Sequence, residues 1–364
     1  MILGYLCLDV AREGQASHAH VHEIIKGLTR RGVTVRLYQP YYVRNPKSPT
    51  GLYRAFGMLL AQYKICREPH FDAVYIRSHF AAAPTTALMK QRGFAVILEV
   101  NGPYDDLYIA WPWTRRYKLI FNKLMRRQFE AADAIITVTP QLKIWLMEQK
   151  VACPIHVIPN GANTDLFKPG APLRTTLQRP YVLFFGALTR WQGITTLLSA
   201  FESEAWPPGV CLVIAGDGAE RKQVELRAKR LPNIFYLGTV PYAHMPGLVA
   251  NSLCAVSPKN HSGGRSDTGL YPLKVFETMA CGVPIVVTDF PGQADLVRQH
   301  RCGIVVPPED PEALALAVRE ISLMAPEERE QMGARGRVAV EEAHSWDRRA
   351  ASTYEVLKQT VENK

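Results

Sequence analysis

The sequence predicts an α/β protein built from two doubly wound parallel sheets. Three observations lead there. Short apolar runs alternate with polar or glycine turns and with stretches of helical spacing along most of the chain. The series breaks once, at the Pro-, Thr- and Gly-rich stretch 170–180, and then starts again. With 364 residues, the chain can also fill two cores, taking about 150 residues per domain as a soft guide. Two successive α/β halves imply two domains facing across a cleft. We expect a first domain over residues 1–169, a linker over 170–180, a second domain over 181–345 and a terminal helix over 346–364.

The first half opens with a βαβ unit. Ile2 to Leu8 reads as a buried strand; Val21, Ile24, Ile25 and Leu28 follow helical spacing until Gly32; Val33 to Tyr38 reads as a second strand. Between strand and helix lies DVAREGQASH, with Gly14 and Ser17 near the helix start. Ligands of open α/β sheets sit at the carboxyl ends of strands, so this loop should line the cleft. His18, His20 and His22 suggest a metal cluster, but only His18 and His22 share a helix face and no third ligand is near. No metal is expected.

Tyr38 to Cys66 and then WPWTRRYKLIFNKLMRRQFEAAD mix aromatic and basic residues, including Arg54, Lys64, Trp111, Trp113, Arg115 and Arg116. Such segments can lie on an anionic bilayer, or their apolar faces can simply pack on the sheet. Ala73 to Arg77, Ala95 to Val100 and Ala134 to Val138 continue the strands. The second of these ends in EVNGPYDD, where Glu99, Asn101, Asp105 and Asp106 either line the cleft or form a solvated Asn-Gly turn. Ile155 to Pro169 is strand, turn and coil.

The second half repeats the scheme through YVLFFGALTRWQGITTLLSAF, VCLVIAGDGAERKQ, NIFYLGTVPYAHMPGLV and CAVSPKN. It culminates in Ser262 to Asp289, SGGRSDTGLYPLKVFETMACGVPIVVTD. That stretch is a Gly-rich loop, a helix bracketed at about Leu273 to Cys281 by Pro272 and Gly282, and a buried strand from Ile285. A helix start preceded by glycines suits a phosphate or pyrophosphate. Lys274 could add a point charge to the same anion, and Glu277 could accept hydrogen bonds from sugar hydroxyls. An ordinary loop-helix-strand with a solvated Glu277 is the plain alternative. From Pro311 the chain reads as helical, ending SWDRRAASTYEVLKQ.

Charge is unevenly spread. The net charge is +10; Met1 to Asp165 holds 21 Lys and Arg against 12 Asp and Glu, and the remainder 22 against 21. A basic first half points to an anionic partner, whether a membrane surface, a phosphorylated acceptor or nucleic acid, with a solvated basic face that has no partner as the plain alternative. Neither basic segment carries a nucleic-acid-binding signature, so lipid ranks above nucleic acid. The seven cysteines are scattered and never spaced as CxxC, as for reduced thiols in a cytoplasm. The start lacks a basic n-region and no run of eighteen apolar residues occurs, so neither signal peptide nor membrane span is expected.

HVIPNGANTDLFKP, the turn in FGALTRWQG, IAGDGAER and KVFETMACGVPIVVTD, in this order, resemble the GT-B-fold glycosyltransferases of family 4, and the WQG and PLK pieces resemble a variant style within it. The resemblance covers nearly the whole chain, from Gly14 and His18 to the final SWD helix. It implies a retaining, metal-independent transferase that takes a nucleotide sugar, a UDP- or GDP-sugar foremost, in its second domain and an acceptor mainly in its first. It also implies that the terminal helix returns to the first domain and that no cofactor is used. Gly186, Gln192, Gly269, Leu270, Tyr271, Leu273 and Lys274 would surround the donor diphosphate, with Arg190 as the local cation. Glu277 would hold ribose, Gly216 would form a tight turn, and Val240 and Pro241 would lie by the base. Gly14 would approach the phosphates. Gln15, His18, Glu99 and Asn101 would face the acceptor, Asn101 standing where many relatives have a cleft histidine.

Some positions depart from the family pattern. Gly269 occupies the place of the first glutamate of a Glu-x7-Glu pair, with Asp267 the nearest acid, and Ala187 and Gln192 replace an Arg and a Lys. The implied role is extension of a lipid-linked saccharide or glycolipid in glycan assembly, at the inner face of a membrane. Two rivals share the fold: a sugar-nucleotide epimerase, which needs no acceptor, and a transferase-like subunit without turnover.

Overall fold

The structure, a computed structural model, describes residues 1–9, 16–41, 51–177, 180–262 and 264–364. It divides into two compact units. The first contains Ser17–Pro159, the opening strand and Asp347–Lys364; the second contains Asn160–Trp346.

In the first unit β1 (Ile2–Leu6), β2 (Thr34–Tyr38), β3 (Ala73–Arg77), β4 (Ala95–Val100), β5 (Ala134–Thr137) and β6 (Ile155–Val157) form one sheet in the order β2-β1-β3-β4-β5-β6. Every pairing is parallel. β3, β4 and β5 carry almost unbroken buried runs, as strands covered by helices on both faces must. β1 stops at Leu6, two residues short of the sequence expectation, because its partner β2 ends at Tyr38, just before Pro40. The last helix, Trp346–Glu362, is fixed to this unit from Asp347 onward. Asp347 takes two hydrogen bonds from Arg31 at 2.9 and 3.0 Å, and Arg349 donates to the carbonyls of Ile158 and Pro159 at 2.5 and 2.8 Å.

The second unit repeats the design with β7 (Tyr181–Phe185), β8 (Cys211–Ala215), β9 (Ile234–Gly238), β10 (Cys254–Ser257), β11 (Ile285–Thr288) and β12 (Gly303–Val306), ordered β12-β11-β10-β7-β8-β9. Two apolar clusters cover its two faces, one around Tyr181, Phe276 and Ile285, the other around Phe184, Leu197 and Val286. The helix Leu273–Ala280 is buried at all eight residues and gives Val275, Phe276, Met279 and Ala280 to the first. It is shut in by the helix Pro326–Ala343, whose Gly333 has no room for a side chain: a Cβ there would stand 1.9 Å from the Gly282 carbonyl oxygen.

Arg337 locks this arrangement. Its guanidinium donates to the carbonyls of Phe167 and Ala280, both at 2.7 Å, and of Thr164 at 3.2 Å. Ala280 ends the buried helix, so the cation meets a carbonyl at the negative end of its dipole. Arg337→Met should therefore strand three carbonyls and lower the unfolding free energy of this unit by about 2–3 kcal/mol. Urea denaturation followed by circular dichroism measures it; a loss under about 0.5 kcal/mol would mean that water replaces the guanidinium at no cost.

Candidate functional site

In each sheet the strand order reverses once, and it is outside the carboxyl ends of the strands at that point that an open α/β sheet leaves a crevice. In the second unit the reversal falls between β7 and β10. The chain leaving β7 turns at Gly186, whose N–H donates to the Ala215 carbonyl at 2.9 Å and whose φ is +130°. Gly216, leaving β8 at φ +144°, packs on this turn so closely that a Cβ would lie 1.8 Å from the Gly186 oxygen. Side chains are excluded there, which keeps the backbone of both turns accessible to a ligand.

Lys274 reaches this place from the first turn of the helix Leu273–Ala280, whose N-terminus has no side-chain cap. Its Nζ donates to Gln192 Oε1 at 3.2 Å, stands 3.8 Å from the centre of the Phe184 ring, and would be 3.4 Å from a Cβ on Gly186. Burial pushes the amine down to about 7, more than the nearby charge of Glu277 restores. Lys274 is thus an amine held close to neutrality beside two bare glycine turns. Glu277, one turn on, is 5% exposed and its Oε1 accepts from Tyr242 Oη at 3.1 Å. Tyr242 follows Val240, half-buried, and Pro241, exposed.

The loop before the helix is positioned by its backbone. Gly269 has φ +80°, the Leu270 N–H donates to the Pro291 carbonyl at 2.8 Å, and the Tyr271 carbonyl accepts from Asn160 Nδ2 at 2.8 Å. Leu273 is buried. Arg190 and Asp267 are both exposed, Arg190 on the same short turn as Gln192. The sequence reading missed Lys259, which is 4% exposed and lies 4.0 Å from the centre of the Trp191 ring, and it missed Tyr242. Neither sits in a spacing that announces it; each is brought in by a turn whose path only the fold sets.

In the first unit the sheet reverses between β1 and β3, and a polar cluster lies at that edge. Asp9, after β1, accepts from Arg77 Nε at 2.8 Å. Arg77, ending β3, also donates to Glu99 at 3.0 Å, and Glu99 further accepts from Tyr75 Oη at 2.5 Å, His20 Nε2 at 2.7 Å and Asn101 Nδ2. Burial opposes charge on Glu99, but the hydrogen bond from His20 and the guanidinium charges of Arg77 and Arg349 outweigh it and hold the carboxyl well below its usual range. Burial likewise pushes His20 down to about 4, despite Glu99, so its imidazole is a neutral donor.

The expectation that Glu99 meets an acceptor is corrected here. Its carboxylate is 0% exposed and its oxygens are taken by protein donors. What it does is orient Asn101: a carboxylate can only accept, so the amide nitrogen faces Glu99 and the carbonyl oxygen is the end left to meet another group. The solvated-turn alternative fails for Glu99 on the same ground. His18 is half-buried on the helix Ala16–Arg30, its ring 3.9 Å from that of His22, and no group of three metal-ligating side chains occurs among the described residues. Gly14 and Gln15 lie outside the described residues.

Known proteins match both halves. The family model described as Glycosyltransferase Family 4 matches residues 17–166, and that described as Glycosyl transferases group 1 matches residues 171–339. Alpha-maltose-1-phosphate synthase of Mycolicibacterium smegmatis is 26% identical over 64% of this chain, a stretch equal to 65% of its own length. The GDP-mannose-dependent alpha-(1-6)-phosphatidylinositol monomannoside mannosyltransferase of Mycobacterium tuberculosis is 27% identical over 76% of this chain and 74% of its own. Among solved structures, sucrose-phosphate synthase from Thermosynechococcus elongatus superposes with a TM-score of 0.80 over 100% of both chains at 19% identity, which is a likeness of fold.

The two buried charges respond oppositely to pH. The stability that comes from the depressed Glu99 is present above the ordinary carboxyl range and is lost as pH falls through its lower folded value. Glu99→Gln should cost roughly 3 kcal/mol at pH 7 by leaving Arg77 with Asp9 as its one carboxylate partner, and the gap to wild type should shrink in acid. Lys274, depressed, opposes folding below about 7 and does so progressively less as pH climbs towards 10.5. Lys274→Met should accordingly be no less stable than wild type at pH 7. Melting curves across pH check both; a Met variant that is strongly destabilised would make Lys274 a structural residue.

Proposed function

The chain belongs to the glycosyltransferases of group 1 and family 4, and from that membership and the second unit's geometry we propose that it moves a sugar from a nucleoside-diphosphate sugar onto an acceptor. The observation that carries this reading is the meeting of Lys274 with the turns at Gly186 and Gln192 outside β7. A diphosphate in that place gains a cation within reach, a glycine turn with no side chain standing in its way, and a helix start with no side-chain cap. Glu277, steadied by Tyr242, is one turn from Lys274, where a ribose or sugar hydroxyl can donate to it.

The reaction in this reading retains configuration. The bond between the anomeric carbon and the donor phosphate breaks, the acceptor oxygen bonds to the same face, and the acceptor proton leaves with the departing phosphate. Lys274 and the exposed Arg190 supply the charge that steadies the leaving group, so no metal is required of the step. Asn101 offers its carbonyl oxygen to an acceptor hydroxyl. The mannosyltransferase relative is named for GDP-mannose and a phosphatidylinositol mannoside, and on that likeness we assign a lipid-linked saccharide as acceptor and a place at a membrane face.

Nucleotide binding tests the donor half. A thermal-shift panel of UDP, GDP, ADP and their sugar conjugates should raise the melting temperature with one series only. Glu277→Ala and Lys274→Ala should abolish the shift. Because the diphosphate needs Lys274 charged while the free protein holds it near pH 7, nucleotide affinity should fall as pH rises above 7, by up to about tenfold per unit. An affinity flat between pH 7 and 9, or shifts unaltered in both variants, would displace the donor from this place. Chelation should leave turnover unchanged, and the product's anomeric signal should match the donor's. A clean shift without transfer or hydrolysis would favour the non-catalytic subunit.

A further inference from the structure

The helix Gly51–Arg67 in the first unit is built inside out. Its buried positions are Gly57, Ala61, Gln62 and Ile65, three of the four small or polar. Four of its large apolar residues point outward at helical spacing: Leu52, Phe56, Leu59 and Tyr63 are exposed by 88, 61, 64 and 56%. A surface helix ordinarily shows the reverse pattern, and an exposed apolar stripe of this length marks a surface that meets something else.

A second exposed stretch adjoins it. Trp111 and Trp113 flank the start of the short helix Pro112–Tyr117, and Leu119 and Ile120 open the helix Lys118–Ala131, all of them exposed. The Arg54 guanidinium lies 4.9 Å from the centre of the Trp111 ring, so the two stretches form one continuous surface. Its charge is predominantly positive. Residues 51–67 contain Arg54, Lys64 and Arg67 and no acid, and residues 111–129 contain Arg115, Arg116, Lys118, Lys123, Arg126 and Arg127 and no acid; Glu130, the one acid of the helix Lys118–Ala131, accepts from Arg126 at 3.2 Å.

We propose that this surface docks the protein on an anionic lipid bilayer, with Leu52, Phe56, Leu59 and Leu119 entering the acyl boundary and the cations set among the headgroups. It rests on the reading of a lipid-linked acceptor and gives that reading its physical means. Charge decides the occupant. A second copy would set these cations against their like, with Glu130 the one acid of each surface and already paired to Arg126, whereas an anionic headgroup layer complements them. Protruding aliphatic and aromatic side chains beside a basic rim are what an interfacial helix needs and what a nucleic-acid phosphate track does not use.

The test is sedimentation of the full chain with vesicles of phosphatidylcholine alone or mixed with phosphatidylglycerol, at low and high salt. Wild type should partition at least about tenfold more onto the mixed vesicles at low salt. Arg115→Glu with Arg116→Glu should remove most of that preference. Leu52→Ser, Phe56→Ser and Leu119→Ser combined should remove the binding that survives high salt. The surface assignment is overturned if wild type ignores phosphatidylglycerol, if the triple variant binds as wild type does, or if wild type is a dimer that the triple variant dissolves, which would give the surface to a second copy. Nucleotide-induced melting shifts, measured on the same proteins, separate the two readings: they should persist in every variant, and their absence from wild type alongside intact vesicle binding would sink the donor reading and spare this one.

Discussion

Parallel strands can be joined only by crossovers that carry the chain back across the face of the sheet, so each strand delivers its carboxyl end to the same edge. The molecule depends on this constraint twice. In each unit it gathers residues far apart in sequence, Asp9 with Arg77 and Glu99 in one, Gly186 with Gly216 and Lys274 in the other, at the place where strand order reverses. The helices do the rest by burying both faces and leaving that edge as the site of polar side chains. Where backbone must approach backbone, at Gly216 on the Gly186 turn and at Gly333 on Gly282, only glycine fits.

The two edges treat charge in opposite ways. In the first unit Glu99 is surrounded by Tyr75, Arg77, Asn101 and His20, and a buried carboxylate so satisfied is a rigid fixture. It orients its neighbours and offers nothing itself. In the second unit Lys274 has an aromatic face and an amide oxygen beside its Nζ, and Glu277 is turned towards Tyr242. Such an amine gains from an incoming anion what the folded chain has withheld, which is how stability at a site is exchanged for affinity.

Much of this was legible in the sequence because parallel strands covered on both faces are written as plain apolar runs. Ala73–Arg77, Ala95–Val100 and the helix from Leu273 lie where the spacing put them, the helix ending one residue earlier at Ala280. The place of Lys274 in the first turn of that helix was also legible, since Pro272 fixes where the helix starts. What the sequence did not disclose were contacts fixed by turns. Tyr242 meets Glu277 through a path that no local spacing encodes, and Glu99 looked like a loop acid because its partners His20 and Tyr75 come from distant elements. The helix Gly51–Arg67 left two readings open for another reason: periodicity says that a helix has an apolar stripe, and it does not say which way the stripe faces.

One departure from the family pattern also acquires a physical reason. Gln192 stands where a basic residue was expected, and its Oε1 accepts from Lys274 Nζ at 3.2 Å. A lysine at 192 would set two ammonium groups against each other in a buried place, where like charges repel far more strongly than in water. One cation must yield, and here it is the one on the turn. The amide that replaces it is not a gap in the site, because an acceptor at that position anchors the amine coming from the helix. The buried amine near Gly186 thus comes from the helix rather than from position 192, with Arg190 the exposed cation of the turn, and Gln192 with Lys274 acts as a single unit: substituting either alone leaves the other with a partner of the wrong kind.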